Sequence, residues 1–285
     1  MAILADRNTD LIVQGISGRE GSFYTRHMIA YGTNIVGGIT PGKGGEWVHG
    51  KPVFDSVKKA MDATGANASI IFTPAPAASD AIYEAVDAQI ALIVSITQGI
   101  PIQDMLKIYD YVSHSNSRLV GPNCPGILTP GQANIGIMPG AIARPGNIGL
   151  VSRSGTLMYE VIQALSEAGL GQTTCVGIGA DPIIGMNFVE ILQMFEEDAE
   201  TEKVVMIGEI GGRGEISAAE YIKSSMTKPV AAFITGKSAP IETRMGHAGA
   251  VIEGINDTAA AKIEALLAAG ARVADYPAQI PFLLS

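Results

Sequence analysis

The sequence predicts two doubly wound α/β domains of similar size, and three observations predict it. Apolar β-branched runs alternate with helix-period segments along the whole chain, the order that builds a parallel sheet with helices on its faces. Glycine totals 34 of 285 residues while only 6% are aromatic, a mix that lets helices lie close on strands. The alternation breaks once, across 121–146, where five prolines and six glycines fall without a clear period.

Taken in order, DLIVQG (10–15), NIVGGIT (34–40), SIIFTP (69–74), ALIVSIT (91–97) and RLVG (118–121) read as buried strands. Helix periodicity predicts 21–31, 55–64 and 101–114, the second capped by Asp55 and stopped by Gly65, the third opened by Pro101. After the break, strands are expected near 147–152, 173–179, 203–210, 229–235 and 271–275, with helices between them and the first at 156–168. The break is the expected domain boundary.

At 47% hydrophobic and 16% charged, the chain can bury a substantial core, and that balance excludes disorder. A net charge of −9 argues against a general nucleic-acid binder, which would show a basic patch. It leaves room for a small anion held by local loops and helix ends. The apolar runs fall well short of the roughly 20 residues of a membrane span, and MAILADRNTD is no secretory leader. Cys124 and Cys175 make no disulfide framework. A cytoplasmic or organelle-matrix protein is expected.

Candidate sites gather at strand ends. Gly15, Gly18 and Gly21 follow the first strand as G-x-x-G-x-x-G. Such a turn serves either an anionic phosphate at the helix N-terminus or helix–strand packing alone. Lys43, in the glycine-rich stretch 38–50, follows the second strand at the same edge; it either pairs with a phosphate or is a solvated lysine. Pro74 and Pro76 suit a rigid turn forming a pocket wall, and Thr97 and Gln98 could bond an amide or a ribose.

In the second half, Ser152, Ser154 and Thr156 surround Gly155 at a strand–helix turn. Hydroxyls and a helix N-terminus suit a phosphoryl group; ordinary capping accounts for one hydroxyl of the three. No G-x-S-x-G elbow supports a serine nucleophile. Glu209 ends an otherwise apolar strand, and a buried carboxylate needs a cation or an imidazole as partner. His247, between Gly246 and Ala248–Gly249, is an uncrowded imidazole fit for a nucleophile that something bulky must approach. His27, His49 and His114 read as surface groups. No histidine pair has zinc-ligand spacing, so no metal is expected. Cys124 reads as a buried small hydrophobe, and Cys175 as core.

GPNCPG, SRSGT, CVGIG, MIGEIGG and RMGHAGA, in this order and spacing, resemble the α subunits of succinyl-CoA synthetase. The turn at 15–21, VGGITPGKGG and SITQGIP match as well, and the likeness runs from about residue 3 to about residue 270. The resemblance implies a Rossmann-like CoA-binding domain over 1–125 and a flavodoxin-like ligase domain over 126–285. It implies reversible conversion of an acid, CoA and a nucleoside triphosphate to acyl-CoA, nucleoside diphosphate and phosphate. His247 would be the phosphorylated histidine, oriented by Glu209. Ser154, Gly155 and Thr156 would stabilise the phosphoryl group, and Tyr159 would stand on the acid side. CoA would meet Ser17, Gly18, Arg19, Glu20, Lys43, Pro74, Ile96, Thr97 and Gln98. An ATP-grasp β subunit, in an αβ or α₂β₂ assembly, would hold ATP or GTP and Mg²⁺. Alone, the chain should bind CoA and be inactive.

Three departures stand out. Arg19-Glu20 replaces the family's common small polar pair, Gln98 stands where glutamate is usual, and ADYPAQIPFLLS is shorter and more apolar than the usual terminal helix. They leave the acid open, since malate- and citrate-type ligases share these motifs; SRSGT rather than SRSGG ranks citrate lower. A nicotinamide dehydrogenase would place an acidic residue at the end of the second strand, around 38–43, where GITPGK has a lysine instead. A non-catalytic CoA sensor would have no use for His247 and Glu209.

Overall fold

A computed structural model describes residues 2–240 and 243–284. The first half runs β1 (Leu11–Gln14), α1 (Arg19–Tyr31), β2 (Ile35–Ile39), β3 (Trp47–Val48), β4 (Lys51–Phe54), α2 (Val57–Thr64), β5 (Ala68–Ile71), α3 (Ala75–Asp87), β6 (Leu92–Ser95), α4 (Ile102–Ser113) and β7 (Arg118–Val120). These strands pair in the order β3-β4-β2-β1-β5-β6-β7. Every pair but β3–β4 is parallel. Without β3 this is the Rossmann order, whose switch point opens between β1 and β5. β1, β5 and β6 are buried throughout, so they read as unbroken apolar runs rather than alternating ones.

The second half runs β8 (Gly126–Thr129), β9 (Ala133–Gly136), β10 (Pro145–Ser152), α5 (Gly155–Glu167), β11 (Gln172–Gly177), α6 (Phe188–Glu197), β12 (Lys203–Gly208), α7 (Gly214–Ser225), β13 (Val230–Ile234), α8 (Ala259–Ala268), β14 (Arg272–Val273) and α9 (Ile280–Leu284). The sheet order is β14-β13-β12-β10-β11-β8-β9. Its parallel strands follow the flavodoxin order, with the switch point between β10 and β12.

The structure corrects several expectations. Residues 47–54 are no loop but a hairpin, turning at His49 (φ 49°) and Gly50 (φ 73°), the positive pair a two-residue turn demands. The stretch 121–146 contains the β8–β9 hairpin, antiparallel on β11. Its four-residue strands cross so closely that a Cβ on Gly126 would lie 2.1 Å from the Ile135 carbonyl; glycine there hides the strand pattern. Pro74 stands at the N-cap of α3 and lines the main cavity, the pocket-wall turn expected of it. Ser56, not Asp55, caps α2. The strand expected over 271–275 is only two residues long. Helix α1 opens at Arg19, two residues before the expected start.

The sheets are joined by an apolar cluster that includes Ile16, Val120 and Cys124 from one side and Val151, Val176 and Ile210 from the other. Tyr31 at the end of α1 reaches the second half, where its hydroxyl accepts from Gly131 N at 3.0 Å. The turn before α1 is tighter still. A Cβ on Gly21 would lie 2.1 Å from the Gly15 carbonyl oxygen, a backbone atom that cannot swing aside. Gly21→Ala is therefore expected to lose about 1–3 kcal/mol by overpacking. A calorimetric scan checks this; an unchanged melting temperature would mean α1 shifts freely on its turn.

Candidate functional site

The two switch points face one cavity of about 830 Å³. Gly18, Arg19 and Glu20 line it from the start of α1, Thr73, Pro74 and Ala75 from the β5–α3 turn, and Ile96, Thr97 and Gln98 from the end of β6. The second half contributes Arg153, Gly155, Thr156, Tyr159 and His247. Residues 74, 96, 97 and 98 and the 18–20 turn, expected from sequence to share a ligand, thus share a wall. So do residues 155, 156, 159 and 247.

The first turns of α1, α3 and α5 all reach this wall. Among the described residues no side chain caps α1 or α3, which leaves their first backbone N–H groups to a ligand or water. Three positive helix ends around one cavity favour an extended polyanion, although the whole chain carries −9.

Two hydroxyls at α5 are already used. Ser154 N donates to Ser152 Oγ at 3.0 Å, and Ser152 Oγ donates to Ser154 O at 2.8 Å. Ser154 Oγ accepts from Leu157 N at 3.3 Å and is buried. Local capping thus accounts for two of the three hydroxyls, not one. Thr156 is the hydroxyl on the cavity wall.

His247 Nδ1 lies 2.5 Å from Glu209 Oε2. Glu209 is 2% exposed, and its other oxygen, Oε1, lies 3.4 Å from Arg153 Nε. Arg153 also donates from Nη2 to the Asp181 carbonyl at 2.9 Å, and the Asp181 carboxylate accepts from Asn123 Nδ2 at 2.9 Å. The Glu209 hydrogen bond, opposed by burial, raises the His247 imidazole above its usual value. Burial pushes the Tyr159 phenol up to about 12, so it stays neutral and can donate or accept. Burial likewise pushes Cys124 up to about 12, and its Sγ donates to Ser95 O at 3.2 Å. That thiol is no nucleophile.

Ser17 and Lys43 lie apart from the main cavity. Ser17 lines an adjoining one of about 420 Å³ with Thr40 and Glu84, its hydroxyl donating to Thr40 Oγ1 at 2.9 Å. Lys43 is exposed on the turn after β2 and lines neither. That turn is pinned to the start of α2. Gly42 N and Gly44 N donate to Asp55 Oδ1 at 3.0 and 2.9 Å, and a Cβ on Gly44 would meet Asp55 Oδ2 at 2.5 Å. The glycines let the carboxylate in. His27, His49 and His114 are all exposed, as expected.

Residues 6–99 match the CoA binding domain family, and residues 151–272 the CoA-ligase family. The chain is 55% identical over 285 residues to the succinate–CoA ligase [ADP-forming] subunit alpha 2 of Archaeoglobus fulgidus, covering 100% of this chain and 99% of that one. It belongs to the family of succinate–CoA ligase α subunits. The corresponding α subunit of Aquifex aeolicus is 56% identical over 282 residues, 98% of this chain and 92% of its own.

Among solved structures, ATP citrate lyase from Methanothrix soehngenii, in complex with citrate and coenzyme A, superposes with a TM-score of 0.90 at 25% identity. The Methanosaeta concilii ATP citrate lyase with (3S)-citryl-CoA gives 0.92 at 25%. Each match covers 99% of this α subunit and 50% of the lyase chain, so the α subunit spans half of either lyase. No helix of the described residues is long and apolar enough to cross a membrane.

Sequence reasoning did not assign Arg153, Asp181 or Asn123 to the site of this α subunit. Arg153 sits inside SRSGT, where an arginine ending an apolar strand carries the same signal that marked Glu209.

Proposed function

We propose that this α subunit, joined to an ATP-grasp β subunit, forms succinyl-CoA from succinate, CoA and a nucleoside triphosphate through phosphohistidine at His247. The observation that carries it is the 2.5 Å contact of His247 Nδ1 with buried Glu209, on the wall of a cavity ringed by three helix N-termini. We assign residues 1–125 to the CoA-binding half and 126–285 to the ligase half.

Glu209 accepts a hydrogen bond from Nδ1–H, which leaves the Nε2 lone pair free as nucleophile. Nε2 attacks the terminal phosphorus; the P–N bond forms as the bond to the nucleoside diphosphate breaks. A succinate carboxylate oxygen then takes the phosphoryl group and frees the imidazole. The CoA thiolate attacks the acyl carbonyl, and phosphate leaves. The first turn of α5, with Ser154, Gly155 and Thr156, stabilises the phosphoryl oxygens, and Tyr159 bounds the acid. CoA lies along Gly18, Arg19, Glu20, Pro74, Ile96, Thr97 and Gln98, with Ser17 in the adjoining cavity and Lys43 meeting CoA from the exposed turn outside both cavities. ATP or GTP, with Mg²⁺, binds mainly on the β subunit. Identities of 55–56% to succinate–CoA ligases against 25% to citrate lyases favour succinate over the citrate alternative.

The test is intact-mass analysis of the α subunit after the αβ complex meets Mg-ATP or Mg-GTP. One phosphoryl group is expected on α, discharged by succinate plus CoA faster than by malate or citrate plus CoA. No phosphoryl group with either nucleotide overturns the proposal.

A further inference from the structure

Two buried charges grip the backbone on both sides of Glu209. Glu215, in the first turn of α7, and Lys262, in α8, are each 0% exposed and paired at 2.5 Å. Glu215 Oε1 accepts the Glu209 N–H at 3.1 Å. Lys262 Nζ donates to the Glu209 carbonyl at 2.7 Å and to the Gly211 carbonyl at 2.6 Å. With the Glu215 bond, its three donors are all used. The sequence makes room for this: a Cβ on Gly208 would lie 2.6 Å from Glu215 Cγ.

The gripped turn is also a floor. Gly211 (φ +86°) packs so tightly that a Cβ there would meet the Gly249 carbonyl at 2.1 Å. The segment carrying His247 therefore rests on the backbone that Lys262 holds.

A buried ion pair repays its desolvation only with complete geometry, and apolar residues of similar volume often serve stability as well or better. The bonds that complete this pair's geometry all go to backbone beside Glu209: its N–H, its carbonyl and the Gly211 carbonyl two residues on. We propose that Glu215 and Lys262 are positioning residues, which hold the peptide units flanking Glu209 so that its carboxylate meets His247 Nδ1. The inference rests on the reading of His247 as the nucleophile. Displacing a catalytic group by about 1 Å costs on the order of 10²-fold in rate.

The test is the double variant Glu215→Leu/Lys262→Met in the αβ complex. It is expected to fold and to melt below the wild type, since the Glu209 N–H and the Glu209 and Gly211 carbonyls lose their partners. His247 phosphorylation is expected to slow on the order of 10²-fold, with its pH midpoint moved down, while KM for CoA stays constant. The charged groups facing His247 are Glu209, Arg153 and Asp181; none is altered. The milder pair Glu215→Gln/Lys262→Met keeps an acceptor for the Glu209 N–H and is expected to recover part of the rate. A folded variant of either kind with wild-type rate and midpoint overturns the inference. If the wild-type complex itself takes no phosphoryl group, the nucleophile reading fails instead. The inference is then read from the His247 imidazole titration by NMR, which moves down in the double variant if the grip sets the Glu209 contact and stays put if it does not.

Discussion

His247→Asn takes up no phosphoryl group, and acyl-CoA formation falls on the order of 10⁶-fold, the loss that follows removal of a covalent nucleophile. The fold survives the change. His247 is partly exposed and follows Gly246, whose φ of +82° sets the loop without help from the imidazole. An asparagine amide can also donate to Glu209 Oε2 where Nδ1 now stands, so the carboxylate keeps a partner. Intact mass and thermal unfolding of the variant complex check both halves. A phosphoryl group that persisted would move the acceptor elsewhere, with the Thr156 hydroxyl a candidate on the same cavity wall.

Much of this architecture is legible in one sequence because central parallel strands are buried on both faces. β1, β5 and β6 have no polar face to interrupt them, so their apolar runs stand out, and the helices between them give the winding order. The two hairpins fail to stand out for separate reasons. β3, at the sheet edge, and β4 beside it are short strands joined by His49-Gly50, a pair that reads as part of a glycine loop. In β8 and β9 the residues that allow close crossing, Gly126 and Gly136, are the ones that erase strand propensity.

The site divides in the same way. Glu209 and His247 announce themselves locally, one as a charge ending an apolar strand, the other as an imidazole among glycines. Glu215 and Lys262 do not. A lysine in AAAKIEALLA and a glutamate in the first turn of a helix are what any solvated helix shows. Only the packing of α7 against α8 turns them inward. Asp181 likewise reads as a loop carboxylate until Arg153 arrives from the end of β10.

Glu209→Gln slows His247 phosphorylation by on the order of 10²–10⁴, more than the loss of one charge suggests. The reason lies in what the amide must do between its neighbours. Arg153 has only donors, so it takes the amide oxygen on the side where Oε1 now lies 3.4 Å from its Nε. The amide NH₂ then faces His247 Nδ1, which must accept rather than donate. The imidazole proton moves to Nε2, the atom that has to attack.

The pH profile separates this tautomer effect from simple damage. In the wild type Glu209 raises the His247 pKa, so the phosphorylation rate climbs with pH through a midpoint above the usual imidazole value of about 6.5. The variant loses that lift, and its midpoint falls. Its deficit is therefore smallest at acid pH, where the wild-type imidazole is largely protonated, and largest above the wild-type midpoint. Stability follows the same linkage: a raised folded pKa contributes fully below the unfolded value and is lost as pH rises through the folded one. Wild type and variant should thus differ most in melting temperature at the acid end and converge partway at alkaline pH, where Arg153 still lacks its carboxylate. A deficit that stayed constant across pH would mean Glu209 leaves the imidazole proton alone.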